Sequence, residues 1–358
     1  MNIDELDYEL PPELIATRPV EPRCSARLLI VHRESGRLDH ARVRDLPDLL
    51  RAEDLLVRNN TAVLAARLVG RRASDGHRGG GRVEGLFLEA RGSDWLVLLT
   101  QSSRLRIGEV LHLEGPESTH VPIRLLERCG HGWLVRPEAA ASLASLLSAV
   151  GRTPLPPYIL RARASRGEAM PDALDRDWYR TLFADPDRAG SVAAPTAGLH
   201  FSEDVLRRLR ERGVREASVT LHVGEGTFRP VSTDRLEDHE MHRETWHIDR
   251  EAAAALRAGP GPGGRLVAIG TTTTRLLESL PAPVPEGAAS GDTDLLIAPG
   301  FRFRHVQVLL TNFHLPRSTL LALVGAFAGM ECMRAAYAEA VAQRYRFYSY
   351  GDAMLILP

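Results

Sequence analysis

The distribution of hydrophobic and polar positions divides the chain into three stretches. In the first, RLLIVH at 27–32 is apolar with polar ends, and a turn at 34–36 returns the chain. LLVR at 55–58 is a second apolar run, leading into Asn59, Asn60 and Thr61. Short runs of this kind predict strands. Two prolines at 11 and 12 precede a short helix predicted over 13–16. In the second stretch, β-rich runs at 82–90, 95–100, 109–114, 121–127 and 133–136 are separated by glycine or charged turns. That spacing predicts a small barrel or sandwich, followed by a connecting helix over 139–150.

From residue 154 the α/β pattern resumes. PLPPYILR (154–161) reads as a rigid extended segment. A helix is predicted over 203–212, with Ser202 as N-cap, Glu203 and Asp204 in its first turn and Gly213 as its stop. Further on come a strand at 217–223, a helix at 252–257, a buried strand at 265–269, a polar turn at 270–274 and a helix at 275–280. A strand at 309–311, a core helix at 320–329 and an amphipathic helix to about Arg344 complete the pattern. The fold class is thus a mixed α/β main domain, residues 1–62 and 151–358, interrupted at 63–150 by a small all-β, barrel-like domain.

Composition narrows the chemistry. Lys and Arg together number 45 against 46 acidic residues, so the net charge of −1 creates no global field that would attract nucleic acid. Every basic residue is arginine, which removes lysine Schiff bases and the lysine of a P-loop. The only cysteines, Cys24, Cys129 and Cys332, lie far apart, so no disulfide framework, paired-cysteine zinc site or three-cysteine iron–sulfur motif is expected. The acidic N-terminal stretch lacks an apolar signal core, and the longest apolar run, 320–328, is too short for a bilayer. A soluble, cytoplasmic protein without a membrane partner is expected.

Several local patterns carry candidate chemistry. GSVAAPTAGLHF (190–201) is a run of small residues between two charge-dense stretches, and it feeds a helix N-terminus. Such a loop can cradle an anion on backbone N–H groups or simply pack tightly. Strand, Gly-Thr turn and helix at 265–280 repeat that geometry. His239 and His242 have the spacing of a helical metal pair, but no carboxylate or thiol completes the set, so no metal is expected. GPGPGG (259–264) precedes a strand instead of following one and reads as a turn.

In combination these motifs are distinctive. GSVAAPTAGLHF, VTLHVGEGTFRPV (219–231), EDHEMH (237–242), IGTTTTRLLES (269–279), LLTNFHLPRSTLLALVGAFAG (309–329) and YRFYSYGDAMLI (345–356) resemble the S-adenosylmethionine:tRNA ribosyltransferase-isomerase family of queuosine biosynthesis. DYELPPELIATRPVEPR (7–23) and PLPPYI match as well, so the resemblance spans nearly the whole chain in the family's order. It implies transfer and isomerisation of the ribosyl part of S-adenosylmethionine onto 7-aminomethyl-7-deazaguanine at the tRNA wobble position. The product is epoxyqueuosine, with loss of adenine and methionine. The partners implied are the tRNA anticodon loop and S-adenosylmethionine, a consumed substrate, with no further cofactor and a monomeric state.

This reaction needs a base for the ribose 5′ proton, a donor for departing adenine and a clamp for the methionine carboxylate. The catalytic candidates inside matched motifs are His200, taken first, with Asp352, His222 and His242. Substrate-binding candidates in the small-residue loop are Ser191, Ala194, Pro195, Thr196 and Gly198; the next motif adds Gly224, Thr227, Phe228 and Arg229. Gly270, Thr271, Thr272, Arg275 and Glu278 follow, then Asn312, His314, Arg317 and Ser318, and finally Tyr345, Arg346 and Tyr350. Arg275, Arg317 and Arg346 are the carboxylate or phosphate clamps in this reading. Arginine clusters at 71–82, 161–166 and 207–215 are the candidate RNA patches. Departures from the family pattern are Asn60 in place of an acid, Glu225 in place of a small residue, and Arg180 and Arg243 in place of polar ones. They raise the alternatives of a divergent paralogue acting on another nucleobase and of a silent RNA-binding module.

Overall fold

The computed structural model describes residues 1–358 except 74–79, 101, 116–118, 225 and 227–230. The chain divides into two compact units: Met1–Ala62, Pro156–Ala169 and Trp178–Pro358 form one, and Val63–Leu155 with Met170–Asp177 form the other.

The larger unit is built on one nine-stranded sheet. In chain order its strands are β1 (Arg27–His32), β2 (Leu38–Arg42), β3 (Leu55–Asn59), β4 (Arg215–Leu221), β5 (Glu244–Ile248), β6 (Leu266–Ile269), β7 (Ala289–Thr293), β8 (Val308–Asn312) and β9 (Ala353–Leu357). Their spatial order is β7-β5-β4-β3-β6-β8-β9-β1-β2. The central four, β4-β3-β6-β8, are parallel. β9 runs antiparallel to β8 and pairs Ala353 with Asn312. The central strands are apolar throughout because both faces are buried. Alternate residues supply different cores: Leu55, Val57, Ala268, Leu309 and Met354 face one cluster, while Leu56, Val267, Ile269, Leu310 and Leu355 face the other. Each fully buried aliphatic side chain contributes about 1.5–3 kcal/mol, so a one-residue slip of register is strongly disfavoured.

Among the described residues the larger unit has six helices of eight or more residues: α1 (Pro157–Arg166), α2 (Glu203–Glu211), α3 (Arg250–Ala258), α4 (Thr271–Ser279), α5 (Thr319–Ala328) and α6 (Met330–Ala342). α2 starts as expected, with Ser202 accepting from the Val205 N–H. α1 corrects the extended reading of 154–161: Pro157 occupies the first helical position, where its missing N–H has no cost. α4 corrects the polar turn at 270–274, since the four threonines are its first turn. The helix predicted at 13–16 is a single turn of 3₁₀ at Pro12–Leu14. Among the described residues no single helix is long and apolar enough to cross a membrane.

The smaller unit contains a closed antiparallel barrel. Arg67–Arg72, Arg82–Arg91, Asp94–Leu99, Gly132–Pro137, His120–Cys129 and Val110–Glu114 pair in that spatial order, and Val110–Glu114 returns to Arg67–Arg72. Closure removes free sheet edges. Inward residues Phe87, Trp95, Val97, Ile123, Leu125, Trp133 and Val135 fill its interior.

Candidate functional site

The C-terminal ends of parallel strands are where open α/β sheets bind ligands. A cavity lies there in the larger unit. Its floor is Gly270 after β6 and Thr311-Asn312 at the end of β8; its walls include Ala194–Ala197, the start of α4, His314, Tyr158, Tyr348 and Ser349. None of the described lining residues carries a formal charge at neutral pH.

Side-chain hydrogen bonds fix the walls. Thr196 Oγ1 donates to Asn312 Oδ1 at 2.9 Å, and Asn312 Nδ2 donates to the Tyr348 carbonyl at 3.1 Å. This chain ties the small-residue loop to β8 and to the 345–350 segment. The rings of Tyr158 and Tyr348 lie 4.6 Å apart, and the Tyr158 hydroxyl hydrogen-bonds Ser349 Oγ. At the end of β6, Gly270 has φ +89°, a conformation that side chains disfavour. α4 then begins without a capping side chain. Thr273 and Thr274 hydroxyls donate back to the Ile269 and Gly270 carbonyls at 2.7 and 3.1 Å. Thr272 Oγ1 is buried and has no partner among the described residues.

His314 is the imidazole at this cavity. Its Nε2 lies 2.7 Å from Thr311 Oγ1, and burial pushes its pKa down to about 3. It is therefore a neutral hydrogen-bonding group at physiological pH. His200, the first catalytic expectation, is placed elsewhere. It is buried, with Nδ1 3.1 Å from the Ala197 carbonyl and Nε2 3.0 Å from the Gly351 carbonyl. Both nitrogens face backbone acceptors, so the ring ties the loop to the C-terminal segment, and burial lowers its pKa. Asp352 is likewise enclosed: its oxygens accept the Arg27 and Arg346 N–H groups at 2.9 and 2.8 Å. It organises the start of β1 and does not line the cavity.

The charged substrate-binding candidates also serve the frame. Arg275 pairs with buried Glu244 and donates to the Leu295 carbonyl at 3.1 Å. Glu244 in turn accepts the Gly224 N–H at 3.0 Å. Glu278 accepts the N–H groups of Arg304, His305 and Val306 at 2.8–3.1 Å. Arg317 pairs with Asp4 at 2.7 Å, and Arg346 donates to the Arg18 carbonyl. Ser318 caps α5 through the Leu321 N–H. Tyr345 hydrogen-bonds His40 at 2.7 Å beneath the Arg27 guanidinium, and Tyr350 packs edge-on to Tyr179 in the core. Gly198 is a packing position, where a Cβ would stand 3.1 Å from Phe183 and Thr181. His242 is exposed and does not line the cavity. Thr227, Phe228 and Arg229, with Glu225, lie outside the described residues.

A second polar group adjoins the ends of β3 and β4. Thr61 Oγ1 lies 2.8 Å from Ser191 Oγ and 2.9 Å from His222 Nδ1, and Ser191 Oγ accepts the Val223 N–H at 2.8 Å. A Cβ at Gly190 would come within 2.7–3.0 Å of the His222 ring, so only glycine lets the imidazole lie flat there. Burial, then the charge of Arg188, lower the His222 pKa. Asn60 accepts the Thr220 hydroxyl at 2.7 Å and does not line the cavity.

The cavity brings together Ala194, Pro195, Thr196, Gly270, Thr271, Thr272, Asn312 and His314 from the expected set. Tyr158, Thr311, Tyr348 and Ser349 were missed as site residues, although each sits in or beside a motif quoted above. Among the described residues most of the patch arginines have an acidic partner: Arg207 pairs with Asp204 and Glu211, Arg208 and Arg212 with Asp48, Arg210 with Glu216, and Arg71, Arg72 and Arg82 with Glu114, Glu109 and Glu84; the part of the first patch at 74–79 lies outside the described residues. Arg163 and Arg166 donate to backbone carbonyls of Thr17, Pro12 and Ile15. No cluster of metal-ligating side chains occurs among the described residues.

A mixed sheet with an uncharged, hydroxyl-lined cavity at the C-terminal ends of its central parallel strands is the architecture of an α/β protein with a candidate ligand site. Comparisons make this specific. A family profile described as queuosine biosynthesis protein matches residues 3–356. S-adenosylmethionine:tRNA ribosyltransferase-isomerase of Anaeromyxobacter sp. is 48% identical over 99% of both chains. That of Rubrobacter xylanophilus is 48% identical over all of this chain and 98% of its own. A solved structure titled S-adenosylmethionine tRNA ribosyltransferase, from Thermotoga maritima, is 34% identical and covers 99% of this chain and 100% of its own, with a TM-score of 0.54. The chain belongs to the S-adenosylmethionine:tRNA ribosyltransferase-isomerase family of queuosine biosynthesis.

Proposed function

We propose that this chain transfers the ribosyl group of S-adenosylmethionine to 7-aminomethyl-7-deazaguanine in the anticodon loop of tRNA and isomerises it to give epoxyqueuosine. Adenine and methionine leave. The observation that carries this reading is the full-length family match, whose motifs supply the walls of the uncharged cavity. S-adenosylmethionine is consumed as substrate, and no further cofactor takes part. The main domain, 1–62 and 151–358, performs the chemistry as a cytoplasmic monomer.

The cavity's character suits a sulfonium. Tyr158, Tyr348 and Phe313 line it, and the quadrupole of an aromatic ring attracts a desolvated cation. No cationic lining residue competes among those described. The sulfonium acidifies the adjacent 5′ C–H, whose loss begins the rearrangement. A histidine with a pKa near 3 is a poor acid at neutral pH, so His314 acts as a neutral hydrogen-bond partner of the adenine ring. The wobble base is taken from a loop, where exposing it costs less than in a duplex.

The test uses purified protein, S-adenosylmethionine and an anticodon stem-loop carrying the aminomethyl-deazaguanine. Release of adenine with a nucleoside of epoxyqueuosine mass is expected. Saturable S-adenosylmethionine binding without adenine release would turn the assignment toward a paralogue with another nucleobase. Neither Asn60 nor any other described departure lies in the cavity, so nothing in the structure favours that reading.

A further inference from the structure

The substrate in the reading above carries a carboxylate, yet the described cavity lining holds no guanidinium. The three arginines expected to clamp it do not line the cavity: Arg275 pairs with Glu244, Arg317 with Asp4, and Arg346 with the Arg18 carbonyl, while Arg275 Nη2 and Arg346 Nη1 stay buried without a partner among the described residues. What the cavity does contain is the N-terminus of α4. The first-turn N–H groups of a helix have no intrahelical acceptor, and no side chain caps this one. They carry the positive end of the helix dipole.

A second observation points the same way. Thr272 lines the cavity, is only 7% exposed, and its Oγ1 has no partner among the described residues. Its two neighbours, Thr273 and Thr274, spend their hydroxyls on the preceding carbonyls. Leaving a buried hydroxyl unpaired is costly, and a ligand acceptor removes that cost. Gly270 keeps the approach bare: a Cβ there would stand 3.4 Å from Ala197 Cβ and 3.7 Å from Thr272 Oγ1.

We propose that the N-terminus of α4, with the Thr272 hydroxyl and the backbone N–H groups of its first turn, is the subsite for the carboxylate of the amino-acid end of S-adenosylmethionine. The inference rests on S-adenosylmethionine being the substrate. The hydroxyl donates to one carboxylate oxygen, and the dipole supplies the charge complement that no side chain supplies.

Calorimetric titration of the full chain without RNA tests it, using S-adenosylmethionine and its decarboxylated analogue on wild type, Thr272→Val and Thr272→Ser. In wild type the analogue should bind at least about tenfold more weakly, the loss of one charge-assisted group of contacts. Thr272→Val should weaken S-adenosylmethionine about tenfold and the analogue by less than about twofold, while Thr272→Ser restores the difference. Equal binding of the two ligands in wild type, or equal weakening of both by Thr272→Val, would overturn the subsite while leaving the reaction intact. Loss of stem-loop affinity in Thr272→Val with S-adenosylmethionine affinity unchanged would identify an RNA phosphate as the occupant and overturn it too. Failure of wild type to bind S-adenosylmethionine at all would overturn both the subsite and the functional reading.

Discussion

Two cavities of the larger unit meet the same segment, with Arg346 lining one and Tyr348 and Ser349 the other. The first is crowded with charge: Arg18, Arg166, Arg346, Glu13, Glu21 and Glu168 all line it. The second has only hydroxyls, amides, aromatic rings and a neutral imidazole among its described lining residues. In the charged cavity two guanidiniums donate to the chain itself, while Arg346 Nη1 and Glu168 Oε2 have no partner among the described residues. Arg166 donates to the Pro12 and Ile15 carbonyls at 2.8 and 3.0 Å, and Arg346 to that of Arg18. They satisfy carbonyls of the 3₁₀ turn at Pro12–Leu14 and of the chain that follows it, which belongs to no named strand. In the uncharged cavity the groups left without partners are uncharged: a helix start with no side-chain cap and the buried Thr272 hydroxyl. The difference teaches that in this chain charge mostly holds the frame, while a helix start and small polar groups face the uncharged cavity.

Breaking the frame should have the largest effect. Glu244→Ala leaves the Arg275 guanidinium buried without its carboxylate and frees the Gly224 N–H. Removing one partner of a buried pair costs about 3–5 kcal/mol, measurable by urea titration. A cost under about 1 kcal/mol would mean that Arg275 is free to serve a ligand after all.

Asp352→Asn separates frame from chemistry more finely. An amide keeps one acceptor oxygen for the Arg27 or Arg346 N–H and confronts the other with an N–H donor, a loss of about 1–3 kcal/mol. Turnover of the folded variant should stay within a few-fold of wild type. Loss of turnover by a thousandfold with the fold intact would restore Asp352 as the base.

The smallest effect is a slope. Unfolded, His314 titrates near its ordinary value of 6.5; folded, burial holds it near 3. Between those values the unfolded chain binds more protons, so unfolding free energy falls as pH falls, and the full stability is present only above about pH 6.5. One such group contributes up to about 1.4 kcal/mol per pH unit. Burial shifts His200 and His222 in the same direction. Urea titrations at pH 5 and pH 7 should show the drop, and His314→Asn should reduce it. An unchanged slope in that variant would place His314 in solvent.

Five of the nine strands, β1, β3, β4, β6 and β8, were legible because burial makes each a short apolar run, a local property; β2, β5, β7 and β9 were not predicted. β1, β3 and the hydrophobic part of β6 stand where the pattern put them. The start of α4 was not legible. Four consecutive threonines are β-branched and poor helix formers, and only the structure shows Thr273 and Thr274 bonding the carbonyls four residues back. α1 was hidden by a proline pair that reads equally as extended chain or helix start.

The candidate site was half legible for a related reason. Small residues at 194–196, the glycine and threonines at 270–272, and Asn312 with His314 were found because whole motifs mark them. Their polar neighbours Glu278, Asp352 and His200 do not line the cavity, and their partners lie far along the chain. Glu278 is satisfied by residues 304–306, Asp352 by Arg27, and His200 by Gly351. A polar residue within a motif does not reveal whether its partner is a ligand or a backbone amide brought from elsewhere.

The central claim is that the uncharged cavity, and not the arginine-lined one, receives S-adenosylmethionine. The most direct measurement is a crystal structure of the full chain with S-adenosylmethionine bound. The account predicts the sulfonium among Tyr158, Tyr348 and Phe313, with the carboxylate at Thr272 and the first turn of α4. Ligand density beside Arg18, Arg166 and Arg346 instead would contradict it.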